Sequence, residues 1–311
     1  MTDGVASETA QKMPQPEVPA DDPRDVDVTI LLPAYNEEEA ITPVIEEVRE
    51  TMGGVDGTYE ILVVDDCSTD RTGEIATELG ARVLRRPQNG GSGASRKTGT
   101  HAARGEIVVM LDTDGSYTPG DIPEMLRWFP EFDQVNGART SEEGTLKLLR
   151  VPAKWAIRKF ACYLARRDIP DLNTGLKAYK RSIMLRYLWV VPDGFSCVTS
   201  MTLAFLTNGH SVKYIPTRYR KRIGKSKFHP LKDTQRYLAT VFRMVMYFKP
   251  LRVFGPVSFL LLVGGLTKTV HDVWWIGAGI QESTIIIWMT AVMVLMLGLL
   301  ADLIVAQKRL S

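Results

Sequence analysis

From Ile285 to Ala301 the chain reads Ile-Ile-Ile-Trp-Met-Thr-Ala-Val-Met-Val-Leu-Met-Leu-Gly-Leu-Leu-Ala without a charge, and Leu303 to Ala306 extends the run. A stretch approaching the roughly 20 apolar residues needed to cross a hydrocarbon core predicts a transmembrane helix. Helices buried inside globular proteins rarely stay uncharged for so long. An earlier apolar stretch, Val253 to Leu266, is shorter and runs into Lys268, His271 and Asp272. It must tilt, borrow Leu251 and Trp274 to Ile276, or be only partly inserted. Lys249 and Arg252 precede the first segment and Lys308 and Arg309 follow the second, whereas His271 to Ser283 between them has no Lys or Arg. By the positive-inside rule this predicts a hairpin over 250–306, with spans at about 251–273 and 284–306 and a short tail at 307–311. Both ends, and the soluble body, are then cytoplasmic.

Charge elsewhere is informative only locally. The formal net charge of +2 over 311 residues points to no nucleic-acid partner. Basic residues gather at Lys147 to Arg167 and at Arg218 to Lys232, so an anionic ligand belongs there. Cys67, Cys162 and Cys197 show no metal-ligand spacing and read as reduced thiols, and the four histidines are not spaced as a metal site. Residues 1–26, rich in Pro, Glu, Asp and Ala, read as a disordered leader. The amphipathic stretch 231–249, carrying Arg236 and Arg243, reads as an interfacial helix ahead of the hairpin.

Between Asp27 and about Thr217 short apolar runs alternate with amphipathic stretches. Val28 to Leu32, Ile61 to Val64, Arg82 to Leu84 and Ile107 to Leu111 suit buried parallel strands. Glu37 to Met52, Arg71 to Leu79 and Ala94 to Ala103 suit helices, the second capped by Ser68 or Asp70. This β-α-β-α-β-α-β order predicts a doubly wound α/β body over 27–230 with its ligand beyond the carboxyl ends of the strands. Polar residues do cluster there: Pro33-Ala34-Tyr35-Asn36-Glu37, Asp65-Asp66-Cys67-Ser68-Thr69-Asp70 and Asp112-Thr113-Asp114-Gly115-Ser116 each follow a strand. Acidic loops gathered at one sheet edge repel one another unless a cation or hydrogen-bond donor compensates, so their coincidence marks a site.

Asp112 and Asp114 lie on one side of an extended segment, a spacing that suits shared coordination of a hard cation, Mg²⁺ or Mn²⁺, with diphosphate oxygens completing the shell. Taken alone, the motif is equally a solvated turn capped by Asp114. Asn89-Gly90-Gly91-Ser92-Gly93 precedes a helix, and its amides could approach phosphate, or it could be a plain turn. It matches neither the P-loop nor the GxGxxG pattern, which argues against an ATPase and a dinucleotide-dependent dehydrogenase.

Taken in order, these four segments resemble the family 2 glycosyltransferases of GT-A fold, and within them the polyprenyl-phosphate and dolichyl-phosphate sugar synthases with two C-terminal membrane helices. The resemblance runs from about Val28 to Ala306. It implies a Rossmann-like, mostly parallel sheet with flanking helices, and a donor pocket of Pro33, Ala34, Tyr35, Glu37, Asp65, Asp66, Gly91, Lys97 and Asp112. It implies Asp112 and Asp114 as holders of metal and diphosphate. Asp171-Leu172-Asn173-Thr174-Gly175 is similar to the group's motif near the acceptor, with Thr174 at its Ser/Thr position. Arg220, Arg222, Ser226 and Lys227 resemble its basic closing loop, and Arg139 is the implied holder of the acceptor phosphate, with Arg158 a second candidate.

The expected reaction is therefore metal-dependent, inverting transfer of a sugar from a UDP-hexose or GDP-mannose to undecaprenyl or dolichyl phosphate. Asp112, Asp114 and Arg139 are its catalytic residues, and the setting is an integral protein of the plasma (inner) membrane, possible as a homo-oligomer. A phosphate acceptor is already anionic and needs positive residues rather than a dedicated base. The Glu-Asp and Gln-x-x-Arg-Trp motifs of processive polysaccharide synthases are absent from the sequence. Transfer to a glycerolipid or saccharide hydroxyl, and a non-catalytic nucleotide-binding scaffold, stay open at this point.

Overall fold

The computed structural model describes residues 26–140, 158–159, 162–163, 167–194, 196–223, 239, 242–244, 246–277 and 279–310. Apart from Val26, the leader expected over 1–26 lies outside them, as do Ser226, Lys227 and most of the interfacial helix expected over 231–249.

Strands β1 (Val28–Ala34), β2 (Tyr59–Asp65), β3 (Arg82–Arg85) and β4 (Ile107–Met110) alternate with helices α1 (Glu38–Met52), α2 (Thr72–Glu78) and α3 (Ser92–Ala102), within a residue or two of the predicted bounds. Asp70 accepts the Thr72 N–H at 3.0 Å at the start of α2, so of the two predicted caps it is Asp70 that serves. Then follow α4 (Ile122–Leu126), β5 (Gln134–Arg139), β6 (Lys177–Lys180), α5 (Arg181–Tyr187), α6 (Cys197–Thr207) and β7 (Val212–Thr217). All seven strands form one sheet in the order β3-β2-β1-β4-β6-β5-β7. Every neighbouring pair is parallel except those made by β6, which is antiparallel to both β4 and β5.

That single reversal matters for function. Because β6 runs against its neighbours, the segment that enters it arrives at the edge where β1, β2, β4 and β5 end. Residues 167–176 are thereby delivered beside the acidic loops.

The alternation of a strand puts successive side chains on opposite faces. Ile30 and Leu32 of β1 pack with Ile41, Ile45 and Val48 of α1 on one face. Leu31 packs on the other, with Val108, Met110 and α6 residues including Met201 and Phe205. Gly99 lets α3 press on that second face, since a Cβ there would come within 2.1 Å of a Leu31 methyl.

Helices α7 (Leu251–His271) and α8 (Glu282–Leu310) pack chiefly on each other. A π-helical stretch, Asp272–Ile276, prolongs α7, so the helical segment that begins at Leu251 runs on through Trp274–Ile276. Small residues allow the close approach: a Cβ on Gly298 would stand 2.6 Å from Phe254. Ser258 donates to the Ala291 carbonyl at 2.8 Å, and Asp272 draws together Lys268 (3.0 Å) and the Thr284 hydroxyl. The outer faces are apolar and uncovered, with Leu260, Met296 and Leu303 each more than half exposed. Both helices are long and apolar enough to cross a membrane.

Lys177, the first residue of β6, is an exception in the core. It is fully buried, and its Nζ donates to Thr202 Oγ1 (2.6 Å) and Asn136 Oδ1 (3.3 Å). Burial pushes its pKa down from 10.5 to about 7; Asp171 opposes the shift, while Arg96 and Arg139 add to it. The unfolded chain therefore binds a proton that the folded chain releases between about pH 7 and the ordinary lysine value. Stability contributed at this position rises with pH across that window and is flat below it. Subtracting the Tm of Lys177→Met from that of the wild type at each pH should give a difference that climbs from pH 7 to 10; a level difference contradicts the assignment.

Candidate active site

The acidic loops meet at the carboxyl edge of the sheet. After β4, the Thr113 hydroxyl donates to the Pro33 carbonyl at 2.8 Å, tying the Asp112–Asp114 loop to the end of β1. Asp114 Oδ1 accepts the Ser116 N–H at 3.0 Å, a turn that Gly115 permits by adopting a φ of +71°. Asp112 receives a guanidinium N–H from Arg96, which reaches up from α3. On its other side stands Gly175: a Cβ there would lie 2.2 Å from Asp112 Oδ2. The missing side chain is what admits the carboxylate, and Gly175 is itself fixed by donating its N–H to the Tyr117 hydroxyl at 2.7 Å.

Desolvation raises the Asp112 pKa, Arg96 pulls it back, and the neighbouring charge of Asp114 raises it further; the net direction is upward. A carboxylate whose proton affinity is raised by burial and by a second carboxylate beside it is suited to binding a cation. Among the described residues no set of three His, Cys, Asp or Glu side chains forms a metal site.

The loop after β2 is tied to its neighbours by its own side chains. Asp66 is bound by Arg86 and accepts the N–H groups of Gly90 (3.1 Å) and Gly91 (2.7 Å). The amides of Gly93 and Ala94 go to the Asp193 carbonyl. Asp66 thus anchors the glycine-rich loop from within, and the amides of Gly90, Gly91 and Gly93 are engaged in holding that loop. Gly91 holds a φ of +88° and a Cβ on it would meet the Asp193 carbonyl at 2.8 Å, so the position requires glycine. Asp65, also buried, accepts the Ser68 N–H at 2.9 Å and faces Arg85 at 3.6 Å. Lys97 pairs with Asp193. Pro33, Tyr35 and Glu37 are half-buried at the end of β1, and Ala34 gives its carbonyl to the Asp66 N–H.

On the basic side, Arg139 ends β5 with its guanidinium clamped by Asp171, Nε at 2.7 Å and Nη2 at 3.0 Å. Its plane lies over the Tyr219 ring, 5.4 Å from the centroid. Burial alone would raise the Asp171 carboxyl; the Arg139 hydrogen bonds and the Asn173 N–H hold it below its usual range. Arg222 reaches Asp114 Oδ2 at 3.4 Å and Glu37 Oε1 at 3.7 Å, so it joins two of the acidic loops. The segment carrying it is pinned by Arg220 N–H to Ser116 O (2.8 Å) and Ile223 N–H to Asp114 O (2.9 Å).

The other basic residues are placed elsewhere. The Arg220 side chain turns outward to Glu47 on α1 at 2.9 and 3.0 Å. Arg158 faces Asp168 at 3.6 Å, a pair with both side chains largely in solvent. Thr174 is buried and its hydroxyl accepts the Leu176 N–H at 3.3 Å, shaping the turn that carries Gly175. Ser226 and Lys227 lie outside the described residues.

The expected site omitted three groups. Arg96 escaped notice because an arginine inside a predicted helix reads as a solvated face; its small neighbours Ser95, Gly99 and Thr100 were the available signal. Asp171 and Gly175 were visible as motif letters, but their service to Arg139 and Asp112 is a tertiary fact.

Comparison with known proteins follows the same division of the chain. Residues 29–188 match the glycosyl transferase family 2 model and residues 249–306 the GtrB C-terminal hairpin model. Glycosyltransferase AglJ of Haloferax volcanii is 30% identical, over 91% of this chain and 95% of its own. A dolichyl-phosphate hexose transferase of the same organism is 31% identical, over 66% of this chain and 87% of its own. Among solved structures, glucosyl-3-phosphoglycerate synthase from Mycobacterium tuberculosis, crystallised with Mn²⁺, UDP-glucose and phosphoglyceric acid, shares the fold. Its TM-score is 0.56 at 21% identity, covering 70% of this chain and 79% of that one. With its GT-A-like mixed sheet, its acidic strand-end loops and its C-terminal helical hairpin, the chain belongs to the family 2 glycosyltransferases.

Proposed function

We propose that this enzyme transfers a sugar from a nucleotide-sugar, a UDP-hexose or GDP-mannose, to a polyprenyl phosphate at the cytoplasmic face of the membrane, with metal dependence and inversion. The observation that carries the acceptor assignment is the Arg139–Asp171 clamp beside the Asp112–Asp114 loop. An acceptor hydroxyl needs a carboxylate to take its proton, and the carboxylate beside Arg139, Asp171, is ion-paired and held below its usual range. A phosphate monoester needs instead a rigid cation, and Asp171 holds the Arg139 fork in one orientation. The dolichyl-phosphate hexose transferase among the relatives supports the same acceptor class.

In the proposed reaction an oxygen of the lipid phosphate attacks the anomeric carbon from the face opposite the diphosphate. The anomeric carbon–oxygen bond to the donor breaks, and its electron pair leaves with the nucleoside diphosphate. Arg139 positions the attacking phosphate. Asp112 and Asp114 would hold Mg²⁺ or Mn²⁺, which when bound supplies Lewis-acid neutralisation of the departing diphosphate. Arg222, set between Asp114 and Glu37, adds positive charge on the same side, and Arg96 keeps Asp112 oriented beneath it. The apolar hairpin keeps the body at the bilayer surface, where a polyprenyl chain stays in lipid while its phosphate reaches Arg139.

A panel of nucleotide-sugars, offered to the purified enzyme with undecaprenyl phosphate and Mn²⁺, should yield a lipid-linked sugar by mass spectrometry. Transfer only to lipid or saccharide hydroxyls would refute the acceptor assignment. Asp114→Asn should lower kcat by about 10²–10³, the usual effect of removing a group that stabilises transition-state charge. Metal-independent turnover unchanged in that variant contradicts the metal assignment. Arg139→Gln should raise KM for the lipid phosphate by roughly 10- to 100-fold, the worth of a charge-assisted hydrogen bond, with donor KM little altered.

A further inference from the structure

Trp189 is unusual for its place in the fold. Its neighbours Leu188 and Val190 are buried, at 5% and 6% exposure, yet Trp189 itself is 51% exposed. Its ring lies 5.5 Å from that of Tyr247, which is 40% exposed, and 6.4 Å from Phe248, which is buried in the core. Phe248 also packs edge-on against Tyr187 at 6.1 Å, so the chain just before the hairpin is nailed to the catalytic body here.

The position of this pair follows from chain length. Tyr247 precedes Leu251, the first residue of α7, by four residues. A chain covers at most about 3.5 Å per residue, so the pair lies within roughly 14 Å of the first turn of an apolar helix. The headgroup layer flanking a hydrocarbon core is of the order of 5–8 Å thick on each side. Along the chain the pair is flanked by basic residues, exposed Arg186 three residues before Trp189, and the half-buried Lys249 and Arg252 two and five residues after Tyr247. Tryptophan and tyrosine rings bordered by Arg and Lys are the side chains that settle at an anionic headgroup layer. A ring needed only for packing would be buried, as Phe248 is.

We infer that Trp189 and Tyr247 form an aromatic anchor on the catalytic body that inserts into the lipid headgroup layer and sets how the body sits on the bilayer. The surface is continuous with the start of α7, and this continuity selects lipid over a second protein as its occupant. The inference rests on the hairpin lying in a bilayer, as the proposed function requires, and is independent of the reaction.

The full chain labelled with 5-fluorotryptophan and placed in bicelles of phosphatidylcholine and phosphatidylglycerol gives a direct test by ¹⁹F NMR. The Trp189 resonance is assigned by its loss in Trp189→Phe. A phosphatidylcholine spin-labelled near its headgroup should broaden it several-fold more than it broadens Trp128, a ring of the catalytic body. An aqueous gadolinium chelate should broaden it little. Broadening by the chelate alone would make Trp189 an ordinary solvent-exposed residue and overturn the proposal. Protection from both agents would mean that protein covers the surface, and overturns it equally. Turnover is not needed for either readout, so failure of the transfer assay and failure of this one are distinct.

Discussion

Five arginines hold the acids gathered at one edge of the sheet. Arg85 faces Asp65, Arg86 binds Asp66, Arg96 binds Asp112, Arg139 binds Asp171, and Arg222 spans Asp114 and Glu37. Without them, so many carboxylates at the ends of adjacent strands would repel one another and resist burial. The pairing lets the edge remain acidic where a cation is wanted, while most of the compensating charge is supplied by the protein itself. It also divides the acids by task. Asp65 and Asp66 shape their own loops, whereas Asp112, raised by burial and by the charge of Asp114, is held by Arg96.

The topology places these pairs. Parallel strands bring the loops after β1, β2 and β4 to one edge, as doubly wound sheets do. The reversed strand β6 adds what a wholly parallel sheet would not: the segment entering it carries Asp171 to Arg139 and Gly175 to Asp112. The Arg139 clamp and the Asp112 contact are thereby joined within one turn of chain. The hairpin adds the remaining constraint. Its two helices bury little against the body, and their apolar faces call for lipid, so the site works beside a membrane rather than in open solution.

Much of this was legible in the chain because the relevant signals are local. Buried parallel strands announce themselves as short apolar runs, and the first four were assigned within two residues or so. The acidic loops were visible because they follow those runs directly, and the hairpin because lipid requires an unbroken apolar stretch. The later strands were harder: Gln134–Arg139 and Lys177–Lys180 carry Gln, Asn and Lys on buried positions, which breaks the apolar pattern. Partner choice was illegible for a different reason. That Asp66 holds the amides of Gly90 and Gly91, that the Arg220 side chain of the expected closing loop reaches Glu47, and that Arg96 lies under Asp112 are all matters of tertiary contact. Residue type signals chemistry, but only tertiary packing decides which charge meets which.

In the proposed reaction the lipid phosphate, held by Arg139, is the nucleophile toward the anomeric carbon, so the fate of its oxygen distinguishes this chemistry from any other. With polyprenyl phosphate labelled by ¹⁸O in its non-bridging positions, the oxygen joining sugar to phosphorus in the product should carry the label, seen by the ³¹P isotope shift. The co-product should be an unlabelled nucleoside diphosphate. Release of a nucleoside monophosphate, or a product whose sugar–oxygen bond is unlabelled, would contradict the account.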